Sequence, residues 1–292
     1  MTTMCVLKEL QSKDKGCLHT LFFILFLKKW LHYTVKYGII KTKEKRNKGG
    51  NIMIPALYEK FQDWCRNGSI YVLSDTHFDD EDCIKMDSNW MKPEEALALI
   101  TKTVHKSDTL IHLGDVGDTK YIKSIKGYKV LVMGNHDTGI SKYKRNIVKK
   151  VYNQDEFTRE AAMADMRKNY PDCKIWAEEE HSFHSPFSRW NVYADNCLFD
   201  EVYEGPVMIG EKILLSHEPI LGIDWCLNIH GHDHSGRYID AFHLNMASNV
   251  CGFKPLSLGE YIKTCGLSKI KSLHRDTIDR ATERKQKRGG KR

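Results

Sequence analysis

Five short polar motifs follow one another along residues 75–234 of this 292-residue chain, and they constrain its fold more than any other feature. The first three directly follow apolar, β-branched runs of residues 71–73, 109–113 and 129–133, which are typical of strands. Polar side chains at strand ends are held rigidly, so the pattern predicts a site at the edge of a sheet. In chain order the motifs are Asp75-Thr76-His77, Gly114-Asp115, Gly134-Asn135-His136-Asp137, His217 and Gly231-His232-Asp233-His234.

The motifs combine carboxylates with imidazoles, a ligand set that divalent transition metals favour. They offer seven potential ligands, which is more than one ion needs. The excess indicates two ions that share a bridging carboxylate, an arrangement used to hydrolyse phosphate esters.

Together the motifs resemble the calcineurin-like metallophosphoesterase superfamily, whose pattern is Asp-x-His, Gly-Asp, Gly-Asn-His-Asp or -Glu, a lone His, and Gly-His-x-His. The match runs from about Ile70 to His234. The resemblance implies an α/β fold, a four-layer α/β/β/α sandwich of two mixed sheets flanked by helices. Alternating strand and helix patterns after Met53 agree with that class.

The resemblance also implies a dinuclear metal centre with a bridging hydroxide as nucleophile. One ion would be held by Asp75, His77, Asp115 and His234, and the other by Asp115, Asn135, His217 and His232. The ions would be Mn, Fe, Zn, Co or Ni, with Mn favoured. These ligands suit all five metals about equally, and cellular availability decides among them.

Two further residues are predicted to be catalytic. His136 is not a metal ligand in the family; it would lie over the phosphate and protonate the leaving oxygen or stabilise charge. Asp137 would orient the His136 imidazole.

Two departures from the protein Ser/Thr phosphatases of this superfamily bear on the substrate. Thr119 stands where those enzymes carry an arginine that clamps phosphate, and Asp137 stands where they carry glutamate. The chain is more similar to small bacterial and phage phosphodiesterases, so we expect phosphodiesters, including nucleotides. A phosphomonoesterase, a nuclease that uses the basic tail, and a non-catalytic scaffold that retains the fold are the alternatives.

The charge is unevenly distributed. Residues 1–52 carry eleven Lys/Arg against three Asp/Glu, and residues 268–292 carry ten against three, whereas the segment between them has a net charge of −8. The net positive charge of the chain therefore comes from the two flanks alone, and nucleic acid is not the favoured partner. The nine scattered cysteines include no Cys-x-x-Cys pair, which favours reduced thiols and a cytoplasmic location.

The composition divides the chain into three parts. Residues 1–52 read as a leader outside the domain, and their seven-residue apolar run is too short to span a membrane. A signal peptide is one alternative for them, and a mis-assigned start with Met53 as the natural first residue is another. Residues 53–267 form the predicted domain. Residues 268–292 form a basic tail for which disorder is predicted.

Within the domain, residues 146–196 form an insertion that could be a lid, a surface for oligomers or decoration. It contains a helix predicted over residues 155–170 with Phe157, Ala161, Ala164 and Met166 facing inward. Residues 79–89 are predicted to form a polar loop. His112, His230 and His243 are predicted to be structural, and His181 and His184 to lie on the surface.

Overall fold

The computed structural model describes residues 68–88, 90–181, 188–209, 212–265, 267 and 269–289. The predictions for residues 1–52, for the start at Met53 and for His184 lie outside these residues.

The first sheet has five strands in the order β12-β1-β2-β3-β7. Strands β1, β2, β3 and β7 are parallel, whereas β12 pairs antiparallel with β1. Parallel strands at the centre of a sheet are buried on both faces, which explains the largely apolar runs of β1, β2 and β3. The strands are β1 (Ile70–Leu73), β2 (Thr109–His112), β3 (Tyr128–Val132), β7 (Glu201–Tyr203) and β12 (Leu256–Ser257).

The second sheet has four strands in the order β11-β10-β9-β8, of which only the β8–β9 pair is antiparallel. It faces the first sheet across one apolar core, in which Val72 and Ile111 of the first sheet cluster with Ile229 of the second. The mixed α/β fold predicted from the sequence is confirmed. The strands are β8 (Val207–Ile209), β9 (Ile213–Leu215), β10 (Leu227–His230) and β11 (His243–Asn245).

Helices cover the other face of the first sheet, where Leu110 and Leu131 cluster with Ile100 of α2. Pro93 occupies the first turn of α2, where its missing N–H costs no hydrogen bond. Residues 122–124 form a single 3₁₀ turn. The helices outside the insertion are α1 (Glu81–Met86), α2 (Pro93–Thr103), α3 (Ile140–Tyr143), α5 (Ser248–Cys251), α6 (Leu258–Cys265) and α7 (Leu273–Gly289).

Two of these helices differ from the sequence-based expectations. Helix α1 occupies the segment predicted to be a polar loop, because Asp80 caps its N-terminus by accepting from the Asp82 N–H. Helix α7 lies in the tail for which composition predicts disorder. It carries an Arg280–Asp276 ion pair at i,i+4 spacing, with N···O at 2.6 Å, which supports a helix that composition alone does not predict.

The insertion forms a third, antiparallel sheet of order β4-β6-β5 that packs against α4. The helix prediction was correct in place but wrong in phase, because α4 buries Ala162 and Met166 while Ala161 and Ala164 are exposed. These elements are β4 (Ile147–Asn153), α4 (Arg159–Asn169), β5 (Lys174–Glu180) and β6 (Arg189–Asp195). None of the described helices is long and apolar enough to cross a membrane.

Arg145 joins the insertion to the first sheet. Its guanidinium contacts Asp195, which is 3% exposed, at 2.5 Å, and Asp200 at 2.6 Å. We expect Arg145→Met to lower the free energy of unfolding by about 3 kcal/mol, because it leaves a buried carboxylate without its cation. Urea denaturation measures this loss. Lys144→Met, an exposed neighbour, is the control, and equal stability of the two variants would contradict the expectation.

Candidate metal centre

The loops that follow β1 and β2 are held together by backbone hydrogen bonds. The Asp75 N–H donates to the Gly114 carbonyl at 2.9 Å, and the His77 N–H donates to the Asp115 carbonyl at 3.0 Å. Asp75 and His77 have φ angles of 54° and 39°, so they do not lie on an extended segment. Their side chains share one side because the chain turns after β1, and non-glycine residues in this strained region concentrate at functional sites.

Asp75, His77 and His234 form the first ligand cluster, with one potential ligand atom from each lying within 4.8 Å of the others. His234 Nε2 is 3.6 Å from Asp75 Oδ1. The Asp75 carboxylate is fully buried and also accepts from the His232 N–H at 2.9 Å. The structure therefore brings residues 159 positions apart in sequence to one point.

Asp115, His217 and His232 form the second cluster. The Asn135 amide joins it, because its Oδ1 is 2.9 Å from His217 Nε2 and 3.0 Å from His232 Nδ1. His217 Nδ1 lies 2.8 Å from the Leu113 carbonyl, which fixes the ring through the end of β2.

Asp115 stands between the two clusters. Its Oδ2 is 3.2 Å from His217 Nε2 and 3.5 Å from His77 Nε2. Its Oδ1 is occupied by the His136 N–H at 2.9 Å. One carboxylate oxygen of Asp115, Oδ2, therefore faces both clusters.

The electrostatics of the clusters reflect mutual pairing of buried groups. Burial raises the pKa of Asp75. Burial also acts to raise the pKa of Asp115, but hydrogen bonding from His217 and its charge outweigh burial and lower the pKa to about 2. The same pairing with Asp115 and Asp75 outweighs burial at His217 and raises its pKa to about 9. Asp75 is thus a buried acid whose charge the neighbouring histidines do not fully offset, and a buried charge needs a cationic partner.

A second observation also indicates that these residues fit divalent ions. Among the described residues, His77 Nε2 is buried yet has no hydrogen-bond partner. A buried nitrogen without a partner is costly in a folded protein, unless a ligand completes it. This nitrogen faces the carboxylate oxygen of Asp115, so a cation between the clusters would complete it.

His136 is exposed beside the clusters, and its ring centroid is 5.4 Å from that of His77. Asp137 has partners other than those predicted from the sequence. Its carboxylate accepts from the backbone N–H groups of Asp115, Val116 and Gly134 at 2.8, 3.1 and 2.9 Å. It therefore ties together the two loops that carry the ligands.

The other histidines named in the sequence analysis, and Asp233, either have hydrogen-bond partners typical of a structural role or lie on the surface. His112 is fully buried, accepts from the Gly114 N–H at 3.2 Å, and has its pKa lowered to about 4 by burial. His230 and His243 are buried with backbone carbonyl partners, and His181 is exposed. Asp233 Oδ1 accepts from the Ser235 N–H in a turn.

Three residues near the first cluster were not identified from the sequence. Asp80 contacts His77, Asn249 contacts His234, and the Trp90 ring lies against both histidines. The sequence does carry one indication for Asp80, which lies three residues after His77 in an acidic run. Asn249 and Trp90 carry none, because tertiary packing alone brings them to the site.

The chain belongs to the calcineurin-like phosphoesterase family, because the model of that family matches residues 68–236. The match contains all five motifs. No curated protein is significantly similar to the chain. A solved structure, described as the protein of unknown function AQ665 from Aquifex aeolicus, is similar at 23% identity and a TM-score of 0.40, covering 67% of this chain and 98% of that one.

Proposed function

We propose that this protein hydrolyses phosphodiesters at a dinuclear metal centre. Asp75, His77, Asp115 and His234 would hold one ion, and Asp115, Asn135, His217 and His232 would hold the other. The observation that carries the proposal is the position of Asp115 Oδ2, within 3.5 Å of a histidine nitrogen from each cluster. Membership of the family supports phosphate-ester hydrolysis and the use of divalent metals.

Two ions held by these residues would neutralise charge on the phosphate and would activate the attacking water. The chain supplies the geometry around them. Asp137 holds the Asp115 and Gly134 loops in register, and the buried carboxylates of Asp75 and Asp115 attract the cations. His136, exposed at the mouth of the site, would donate a proton from its imidazole to the leaving oxygen.

The charge of the adjoining cleft supports a diester rather than a monoester. This cleft has a volume of about 750 Å³ and lies beside the loops of the first cluster. Five of its lining residues are acidic and two are basic: Asp79, Asp80, Glu81, Asp82 and Asp118 against Lys85 and Lys142. Lys120 beside the cleft pairs with both Asp79 and Asp118, which lessens the excess of negative charge without cancelling it. A diester brings one negative charge, whereas a monoester near neutral pH brings nearly two, so the acidic wall repels the monoester more strongly.

The test compares bis-p-nitrophenyl phosphate with p-nitrophenyl phosphate as substrates, with Mn²⁺ added. We expect faster cleavage of the diester. For His136→Ala we expect kcat to fall by about 10²–10⁴-fold, which is what a general acid contributes, on a diester whose leaving alkoxide needs a proton. The fall should be smaller on bis-p-nitrophenyl phosphate, because p-nitrophenolate leaves without a proton. His181→Ala, an exposed histidine of the insertion, is the matched control and should retain wild-type rates.

Other outcomes would redirect the assignment. A preference for the monoester would reverse the substrate class and make the protein a phosphomonoesterase. Cleavage of neither ester by Mn²⁺-loaded protein would contradict the proposal and favour a scaffold that keeps the fold. A nuclease would bind nucleic acid with steep salt dependence and lose that binding when residues 268–292 are removed.

A further inference from the structure

The two histidines of the first cluster are both oriented by side chains. His77 Nδ1 lies 3.2 Å from Asp80 Oδ2, and His234 Nδ1 lies 3.1 Å from Asn249 Oδ1. In each case the oxygen accepts from Nδ1–H, which leaves the Nε2 lone pair free on the opposite side of the ring. The free Nε2 atoms face Asp115 and Asp75. These partners therefore select the tautomer that can bind a metal.

Both partners are connected to the ends of helix α1. Asp80 is its N-cap, and Asp80 Oδ1 accepts from the Asp82 N–H at 3.0 Å. Asp87 is its C-cap, and Asp87 Oδ2 accepts from Asn249 Nδ2 at 3.3 Å. One short helix thus fixes two histidines that are far apart in sequence.

Trp90, just after α1, adds a steric restraint. It is 8% exposed, and its ring centroid lies 5.8 Å from that of His77 and 5.4 Å from that of His234. Phe253 supports the indole edge-on at 5.5 Å. Rotation of either imidazole would require the indole to move. We call Asp80, Asp87, Trp90 and Asn249 together the α1 brace.

The second cluster is oriented in a different way. The Nδ1 atom of His217 lies against the backbone carbonyl of Leu113 at 2.8 Å, directly after β2. This anchor depends on the central sheet and on none of the residues of the α1 brace. His77 and His234 of the first position are therefore held by side chains around a six-residue helix, whereas His217 of the second position is held by a strand end.

We infer that the α1 brace sets the metal affinity of the first position independently of the second. The chain can therefore lose the ion at the first position while it keeps the ion at the second. The inference rests on the proposed dinuclear centre. Asp80, Asp87 and Asn249 act as positioning residues, and they touch the histidines or one another.

Asp80→Asn tests the inference with little risk to the fold, because asparagine is as good an N-cap as aspartate. Asparagine has one acceptor oxygen, whereas Asp80 uses one for the Asp82 N–H and the other for His77. With the oxygen kept at the cap, the amide NH₂ would face His77 Nδ1 and favour the tautomer with the proton on Nε2. That tautomer cannot bind a metal through Nε2.

The experiment is equilibrium dialysis of the full chain against Mn²⁺, counting bound ions per chain. We expect two ions for the wild type, and for Asp80→Asn one position weakened by about 10–100-fold with the other unchanged, the usual effect of losing such a partner. Asp82→Asn is the matched control, since its side chain is 87% exposed, lies in the same turn, and should leave both affinities unchanged. Asn249→Ala, which acts through His234, should reproduce the effect of Asp80→Asn.

Two results would overturn the inference: wild-type affinity at both positions in both test variants, or equal weakening of both positions. If Asp80→Asn weakened both positions equally and also lowered the melting temperature, the loss would reflect the fold. The result for Asn249→Ala would then decide whether the inference holds. A wild-type chain that binds no Mn²⁺, or one ion only, would instead contradict the dinuclear centre itself.

Discussion

Replacing Asp115 with asparagine is expected to remove phosphodiester hydrolysis almost completely, lowering kcat/KM by about 10³-fold or more, which corresponds to ~4 kcal/mol of transition-state stabilisation. The cause is the position of Asp115 Oδ2 between the two ligand clusters. An amide is neutral, so both positions lose the charge that attracts a divalent ion. The measurement is steady-state hydrolysis of bis-p-nitrophenyl phosphate together with the number of Mn²⁺ ions bound per chain.

Asp165→Asn provides the matched control for that variant. Asp165 lies on α4 of the insertion and pairs with Lys150 at 2.8 Å rather than with a histidine. It should retain activity within a few-fold of the wild type, because an exposed ion pair contributes little. Full activity in Asp115→Asn, or equal losses in the two variants, would contradict the bridging role.

The second large effect is expected for Gly114→Ala. Gly114 has φ +101°, and an added Cβ would lie 2.5 Å from the Gly134 backbone nitrogen and 2.7 Å from His217 Nδ1. The loop cannot yield without moving both ligand clusters. We expect a loss of about 3–4 kcal/mol in the free energy of unfolding, from backbone strain plus overpacking, and loss of activity in the protein that remains folded.

Gly139→Ala separates the two causes. Gly139 has φ +78°, but an added Cβ there would have no heavy atom within 4 Å. This variant should show only the cost of the backbone conformation, roughly 1–2 kcal/mol, and should keep its activity. If Gly114→Ala were no less stable than Gly139→Ala in urea denaturation, the close approach of the Gly114 and Gly134 loops would be wrong.

Much of the fold could be predicted from the sequence because the central strands are mostly apolar. Residues 72–73, 109–112 and 129–132 are buried, so their largely hydrophobic runs mark these strands directly. The candidate ligands follow these strands, and parallel strands place their carboxyl ends at one edge. Strand order then brings Asp75 and Asp115 together.

What the sequence did not predict depends on tertiary contacts. The role of Asp137 as an acceptor for three backbone N–H groups could not be predicted from the motif, because neighbouring polar residues in a motif do not show which groups they face. The predicted phase of α4 was wrong, since five alanines and methionines in eleven residues fit more than one apolar face. The sequence predicts a loop in place of helix α1, because an acidic run does not show that Asp80 caps a helix.

The dinuclear centre is tested most directly by anomalous scattering from crystals of the full chain grown with Mn²⁺. The account predicts two anomalous peaks about 3.5–4 Å apart, one on each side of Asp115 Oδ2. His77 and His234 should contact one peak, and His217 and His232 the other. A single peak, or peaks away from Asp115, would contradict the dinuclear centre on which the proposed function depends.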